Sequence, residues 1–321
     1  MKWINNIKNL QELQPVYNRL LEKNALIHQS RPLSATSLQK IKEGLSLEWT
    51  YNSNSIEGNT LSLQETQLVL QEGITIRGKS LREHFEAINH EKAIDYLYSL
   101  VNAAYRLRTI DILSLHGLVM RNVDDDFAGR LRNAGVRITG ANFTPPNASK
   151  VADLLDELID FVNSNTAGFN DIELATIFHH RMVYIHPFFD GNGRTVRLAM
   201  NLLLLRKGFP PAIILRNDRK KYYEALNQAN TGNYAKLCLL MTQALERSLN
   251  IYTGALPGRG YDYEPISSLV EEDAMPYGQE YISLLARQGK IDAYKEGRNW
   301  LTTKKAVTDY MAKRKRERKT A

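Results

Sequence analysis

Apolar residues recur at spacings of three and four along most of the chain, which is the periodicity of amphipathic helices. In the first fifty residues this pattern runs through two stretches that are separated by Pro32. Further helical patterns cover residues 80–105, 109–120, 150–163, 171–185, 194–208, 217–229 and 233–252. The pattern therefore predicts a mainly α protein.

Two regions break the helical pattern. Residues 128–146 contain three glycines, two prolines and the alternating sequence Val-Arg-Ile, which predicts a short β-hairpin. Residues 254–265 are rich in glycine and proline and predict a linker. Beyond the linker, the sequence predicts two short helices over 266–275 and 278–288, then two strands around a glycine turn and a last helix.

The composition is that of an ordinary globular protein. Apolar residues make up 43% and charged residues 24% of the 321 positions, which argues against a disordered chain or a coiled-coil rod. No apolar stretch approaches the roughly 20 residues that cross a bilayer, and the first residues lack the apolar core of a secretory signal. A single cysteine, Cys238, excludes an internal disulfide. We therefore expect a cytoplasmic protein with no membrane partner.

The net charge of +7 is concentrated at the C-terminal end. Residues 313–319 read KRKRERK and carry +5, so the rest of the chain is nearly neutral. Such a run is most often the solvated end of a helix, and contact with an anionic partner is the alternative.

The densest cluster of reactive side chains lies in residues 186–197, which read HPFFDGNGRTVR. The two glycines predict a loop that leads into a helix, whose free N–H groups and dipole form an anion site. Arg194 and Arg197 are three residues apart on that helix and are suited to binding phosphates. Asp190 is a candidate ligand for Mg²⁺, and His186 is a candidate base that works near neutral pH.

A helix-capping loop is the ordinary alternative for a glycine-rich segment of this kind. In that case His186 would be a core histidine and both arginines would be solvated. The concentration of a base, a carboxylate, two glycines and two arginines within twelve residues favours phosphate chemistry instead. Zinc-dependent hydrolysis is a weaker alternative, because the histidines lack the His-x-x-x-His spacing of zinc hydrolases.

Residues 186–197 match the signature motif of the Fic family, and the resemblance extends over roughly residues 80–250. It implies a Fic-type helical bundle with a short β-hairpin flap near Val136–Thr139, which aligns a target segment by strand addition. The usual activity of the family is transfer of AMP from ATP to a Ser, Thr or Tyr hydroxyl of a protein. ATP is then a substrate and Mg²⁺ a cofactor.

The resemblance also implies a role for each matching residue. His186 would be the general base, Asp190 would bind Mg²⁺, and Phe188 would be a buried packing residue. The α-, β- and γ-phosphates would be bound by Gly191, Asn192, Gly193, Arg194 and Arg197. The adenine and ribose pocket would include Tyr222, Tyr223 and Asn227, for which a helix face with core aromatics is an equal alternative.

A second motif, Ser-Asn-Ser-Ile-Glu-Gly at residues 53–58, resembles the inhibitory helix of the same family. Ser53 and Glu57 are four residues apart and therefore share one helix face. The resemblance implies that Glu57 pairs with Arg197 and keeps this arginine from the γ-phosphate, so that ATP binds unproductively.

Residues 266–312 resemble a small winged helix-turn-helix domain. Arg287, Lys295 and Arg298 would form a basic face that contacts DNA phosphates, and a protein-docking module is the alternative. The predicted domains are an N-terminal helical region (1–79), the catalytic core (80–253), the linker (254–265) and the winged domain with its basic tail (266–321).

The resemblance thus predicts an autoinhibited protein adenylyltransferase that uses ATP. Its predicted partners are a target protein, with the chain itself as one candidate target, and DNA. Two alternatives stay open: removal of AMP from a modified protein by the same site, and a DNA-binding regulator that only senses nucleotide. A homodimer is compatible with the sequence.

Overall fold

A computed structural model of the chain is mainly α-helical, as the periodicity of the sequence predicts. The structure describes residues 7, 10–29, 35–101, 106–256, 263–272, 275 and 277–320. The predicted break at Pro32 and the centre of the predicted linker, residues 257–262, lie outside this range, as do the basic side chains beyond residue 314.

The helices of the N-terminal and catalytic parts are α1 (Gln14–Gln29), α2 (Ala35–Ile56), α3 (Leu63–Glu72), α4 (Leu81–Ser99), α5 (Thr109–Met120), α6 (Val151–Ser164), α7 (Asp171–Ile185), α8 (Asn192–Arg206), α9 (Arg219–Ala229) and α10 (Ala235–Gly254). The C-terminal part comprises β1 (Glu264–Pro265), α11 (Ile266–Glu272), α12 (Gln279–Arg287), β2 (Ala293–Glu296), β3 (Asn299–Thr302) and α13 (Lys304–Thr320). Each predicted helix is present, with ends that differ from the prediction by a few residues.

The core is built around α7 and α8, which pack against each other and are joined by the loop His186–Gly191. Most residues of α8 are buried, including the polar Arg194, Arg197 and Asn201. Since α2, α4 and α5 also pack against α8, the start of this helix lies at the meeting point of several elements. The loop before α8 is therefore held by a rigid scaffold.

The predicted hairpin at residues 128–146 is only partly confirmed. The chain turns at Ile138–Ala141, where the Ala141 N–H donates to the Ile138 carbonyl at 3.3 Å, but no strands pair on either side of this turn. Its groups bond elsewhere instead: the Arg132 N–H donates to the Pro187 carbonyl at 2.9 Å. The segment is thus a flap without paired strands.

The C-terminal part has its own small apolar core and a three-stranded antiparallel sheet in the order β1-β3-β2. The predicted strands around a glycine turn are confirmed as β2 and β3, with Tyr294 opposite Leu301. Within the described residues, every helix is too short or too polar to cross a bilayer.

A buried cluster of charges joins the N-terminal helix, α10 and the C-terminal part. Glu246 of α10 accepts from Arg19 at 2.5 Å and from Lys23 at 3.0 Å, and the Lys23 ammonium also reaches Asp292 at 2.5 Å. Because Glu246 is enclosed, its charge is stabilised by these two cations and not by water. The C-terminal part is therefore docked on the helical body.

We expect Glu246→Gln to lower the free energy of unfolding by about 3–5 kcal/mol, because it leaves Arg19 without its carboxylate and Lys23 with Asp292 alone. Urea denaturation measures this change. The control is Asp309→Asn, which breaks the exposed pair of Lys305 and Asp309 and should cost at most about 0.5 kcal/mol. Equal effects of the two substitutions would contradict this account.

Candidate active site

His186 lies directly after α7, in the left-handed conformation with φ +51°. Burial lowers the pKa of its imidazole to about 4, against the opposing influence of the Val183 carbonyl and of the Glu57 and Asp190 carboxylates. The ring is therefore neutral at pH 7 and able to accept a proton. Its Nδ1 is shielded from solvent, which leaves Nε2 as the nitrogen that can accept a proton from a substrate.

The loop after His186 is held in place by Phe188, Asn192 and His116. Phe188 is fully buried and stacks on the His116 ring, with centroids 3.6 Å apart. The Asn192 side chain accepts from the Phe188 N–H at 3.0 Å and donates to its carbonyl at 2.8 Å. His116 Nδ1 accepts from the Gly129 N–H, so its Nε2 donates to the Asp190 carbonyl at 3.0 Å. The Asn192 amide thus fixes the loop, and only its backbone N–H is left to bind phosphate.

The start of α8 offers N–H groups to an anion. The first bond of the helix joins the Thr195 N–H to the Gly191 carbonyl, so the N–H groups of Asn192, Gly193 and Arg194 have no partner within the helix. Gly191 has φ +70°, and a Cβ there would lie 2.7 Å from Met120 Sδ. A Cβ at Gly193 would lie only 2.0 Å from Glu57 Oε1. The close approach of Glu57 therefore requires glycine at position 193.

Both arginines of the motif are buried and paired. Arg194 lies 3.0 Å from Glu86 of α4 and 3.5 Å from Asp190. Arg197 lies 2.8 Å from Glu57 Oε1 and donates to the Ser53 hydroxyl at 3.1 Å and to its carbonyl at 2.8 Å. The structure thus brings Arg197 into contact with Ser53 and Glu57, which precede it in the sequence by 144 and 140 positions.

Asp190 lies at the open side of the loop, with half of its side chain exposed. One carboxylate oxygen accepts from the Gly191 N–H at 2.6 Å and the other from Arg82 at 2.5 Å. These cationic and N–H partners outweigh burial and lower the pKa of the carboxyl. Among the described residues, no three acidic or histidine side chains converge on one point. A single exposed carboxylate fits Mg²⁺, which takes most of its ligands from water and phosphates, provided that Arg82 is displaced.

The three residues predicted for the adenine and ribose pocket have different surroundings. Tyr222 is 1% exposed, and its hydroxyl is bonded to His179 Nε2 at 3.0 Å, so its ring belongs to the core. Tyr223, its neighbour on the helix, points elsewhere and lies under the Arg219 guanidinium. The Asn227 amide donates to the Gly140 carbonyl of the flap at 3.3 Å. The assignment of these three residues to an adenine and ribose pocket stays a prediction, and burial of the Tyr222 ring favours the core alternative for that residue.

Arg132 is a residue of this site that sequence reasoning missed. It is 2% exposed, and its guanidinium donates to the carbonyls of His186 at 2.8 Å, Ala134 at 2.9 Å and Pro146 at 2.5 Å. These contacts connect the turn at His186 with both ends of the flap. The planar guanidinium of an arginine can donate to three carbonyls at once, which the single ammonium of a lysine does less well. The only sequence signal is an arginine within a glycine-rich segment.

We expect Arg132→Lys to lower the free energy of unfolding by about 1–3 kcal/mol, and to slow any reaction that needs both His186 and the flap roughly tenfold. Lysine keeps the charge but cannot reach three carbonyls at once. Thermal denaturation and initial rates of modification test this, with Arg130→Lys at an exposed neighbouring position as the control. Unchanged rates would show that the guanidinium does not position the site.

The basic residues of the C-terminal part are placed unequally. Arg287 and Arg298 are exposed, whereas Lys295 is largely buried and pairs with Asp218 at 2.7 Å. The predicted basic face therefore lacks Lys295, because a carboxylate of the helical body already neutralises its charge.

Comparisons with known proteins agree with the motif. A model of the Fic/DOC family matches residues 106–204. A protein adenylyltransferase named fic-1 from Caenorhabditis elegans is 37% identical over 247 residues, which are 76% of this chain and 47% of that protein. Protein adenylyltransferase Fic from Aedes aegypti is 34% identical over 80% of this chain and 50% of its own length. The chain thus spans about half the length of these curated relatives.

A solved structure is matched over a larger share of its own length. Fic-1 from Caenorhabditis elegans superposes with a TM-score of 0.68 and 33% identity, over 75% of this chain and 71% of that one. The same fold, the signature loop and the extent of this match lead to one conclusion. The chain belongs to the Fic/DOC family.

Proposed function

We propose that the chain transfers AMP from ATP to a hydroxyl group of a protein, with its own chain among the targets. The observation that carries this proposal is the placement of a neutral imidazole, His186, beside the N–H groups at the start of α8. A base at one end of the loop and an anion site at its other end are suited to the attack of a hydroxyl group on a bound phosphate. Relatives that are 34–37% identical and are named protein adenylyltransferases support the same conclusion.

In this reaction the target oxygen attacks the α-phosphorus, and the bond from that phosphorus to the β-phosphate oxygen breaks. His186 accepts the proton of the hydroxyl as the new bond forms. The N–H groups of Gly193 and Arg194 hold the charge that builds up on the phosphates. Arg194 and Arg197 bind the phosphates that leave as pyrophosphate, once their present acidic partners release them.

Asp190 would hold Mg²⁺, which when bound would supply positive charge to offset that of the leaving group. The cost of this arrangement is the loss of the contact between Asp190 and Arg82. Arg82 can then remain with Glu86, which it already contacts at 3.3 Å.

The same site is held inactive by the end of α2. Glu57 forms an ion pair with the Arg197 guanidinium and fills the space over Gly193. A γ-phosphate that needs this arginine must displace a carboxylate of the same charge. ATP then binds without the alignment that transfer requires.

The test is to incubate the chain and its Glu57→Gly variant with Mg²⁺ and ATP labelled at the α or the γ position. AMP transfer predicts label on protein from the α position only, with the mass of one AMP group per modified hydroxyl in the mass spectrum. Label from the γ position would indicate phosphate transfer and would contradict the proposal.

Removal of AMP is a second candidate, because the Glu57 carboxylate lies over Gly193 at the start of α8, on the loop-helix segment that also carries His186, where it would orient a water molecule. Release of free AMP from a modified protein by the wild-type chain, with no release by Glu57→Gly, would favour it. Contact with DNA through Arg287 and Arg298 stays a prediction, and electrophoretic mobility shifts at several salt concentrations test it.

A further inference from the structure

The turn of the C-terminal hairpin lies against the helical body at the 3₁₀ turn Arg216–Asp218. Together with Arg219, the first residue of α9, we call this segment the 216–219 turn. Lys295 of β2 pairs with Asp218 at 2.7 Å, and both side chains are less than one-fifth exposed. The Asn217 amide donates to the Gly297 carbonyl of the hairpin at 3.2 Å. The hairpin thus fixes the middle of the 216–219 turn from one side.

From the other side, the 216–219 turn holds the end of α2. The Arg216 N–H donates to the Asn52 side chain at 2.8 Å, and the Arg219 guanidinium donates to the Ile56 carbonyl at 2.7 Å. Ile56 is the last residue of α2, so its carbonyl has no partner within the helix and attracts a cation. Glu57 is the next residue along the chain. Arg219 therefore fixes the backbone that aims Glu57 at Arg197.

A second contact joins the same three parts. Arg247 of α10 pairs with both carboxylate oxygens of Glu48 in α2, at 2.7 and 3.1 Å, and donates to the Lys295 carbonyl at 3.1 Å. One side chain thus bonds to α2 and to the hairpin strand that carries Lys295. Strand β2 is therefore connected to α2 in two ways, through the 216–219 turn and through Arg247.

We propose that Lys295 is a positioning residue for the inhibitory end of α2: through Asp218 and the 216–219 turn, the C-terminal hairpin holds Glu57 on Arg197. This inference rests on the proposed function. It gives Lys295 a role different from contact with DNA. It also makes the C-terminal part a restraint on the active site, since movement of the hairpin away from the helical body weakens the inhibitory contact.

The experiment compares self-modification by α-labelled ATP in the wild type, Lys295→Met, Glu57→Gly and the double variant. We expect Lys295→Met to raise the rate roughly three- to tenfold when Glu57 is present, and to have no effect when Glu57 is already glycine. Lys290→Met, at an exposed lysine of the same part, is the control and should leave the rate unchanged. Lys295→Arg keeps the ion pair and should remain inhibited.

The ion pair is tested separately from the side chain. Asp218→Asn should act like Lys295→Met, whereas the exchanged pair Asp218→Lys with Lys295→Glu should restore inhibition. Hydrogen exchange of residues 51–58 should be faster in Lys295→Met and normal in the exchanged pair, which provides a readout that needs no activity. A wild-type rate in Lys295→Met, or an equal increase with and without Glu57, would overturn the inference. An inactive Glu57→Gly variant would count against the proposed function instead.

Discussion

Replacing His186 with alanine is expected to slow AMP transfer by about 10²–10⁴-fold, the usual contribution of a general base. The affinity for ATP should change little, because the N–H groups at the start of α8 and the two arginines remain. Initial rates with α-labelled ATP and equilibrium binding of nucleotide separate these two effects. Both measurements are best made in the Glu57→Gly background, where the uninhibited rate is visible.

Alanine at position 186 also changes the backbone, since His186 has φ +51°. Asparagine adopts this left-handed conformation more readily than alanine but cannot act as a base near neutral pH. His186→Asn should therefore lose as much activity as His186→Ala while unfolding at a higher temperature. If asparagine restored the rate, the loss in alanine would come from backbone strain and not from proton transfer.

The pH dependence provides an independent check on the same residue. Burial lowers the pKa of His186 to about 4, so the base form persists well below the ordinary histidine range near 6.5. The rate in the Glu57→Gly variant should stay nearly constant from pH 8 down to about 5 and fall only as the imidazole becomes protonated below that. A fall centred near pH 6.5 would mean that the ring is solvated in the working enzyme.

The parts of this site that follow the chain locally could be predicted from the sequence. The loop 186–191 and the helix after it depend on neighbouring glycines and on helical periodicity, and both are present as predicted. The pairing of Glu57 with Arg197 was available only through resemblance to the family. Nothing in the residues themselves indicates that positions 57 and 197 meet, because their approach depends on how α2 crosses α8.

The parts that depend on packing could not be predicted. Alternation in Val-Arg-Ile indicates extended backbone, but whether strands pair depends on the partners of their N–H groups, and here Arg132 bonds to Pro187. Tyr222 and Tyr223 look alike in the sequence, yet only the helix orientation decides which one enters the core. The sequence shows that Lys295 is basic, but not that Asp218, 77 positions away, neutralises its charge.

Replacing Glu57 with glycine is expected to raise self-modification by about 30- to 160-fold, because charge-assisted contacts of roughly 2–3 kcal/mol then no longer hold Arg197. Glycine removes the carboxylate from Arg197 and also empties the space over Gly193. The γ-phosphate gains both a guanidinium and room at the start of α8. Labelled ATP, with the modified sites read by mass spectrometry, measures the increase.

Two further substitutions separate the two effects of Glu57. Glu57→Gln keeps the volume of the side chain and removes the charge, so it should activate less than glycine if the space over Gly193 matters. Ser53→Ala removes the hydroxyl that accepts from Arg197 but leaves the Ser53 carbonyl and Glu57 in place, and it should therefore activate only slightly. Equal rates in Glu57→Gly and the wild type would mean that ATP already reaches Arg197, and inhibition by α2 would have to be abandoned.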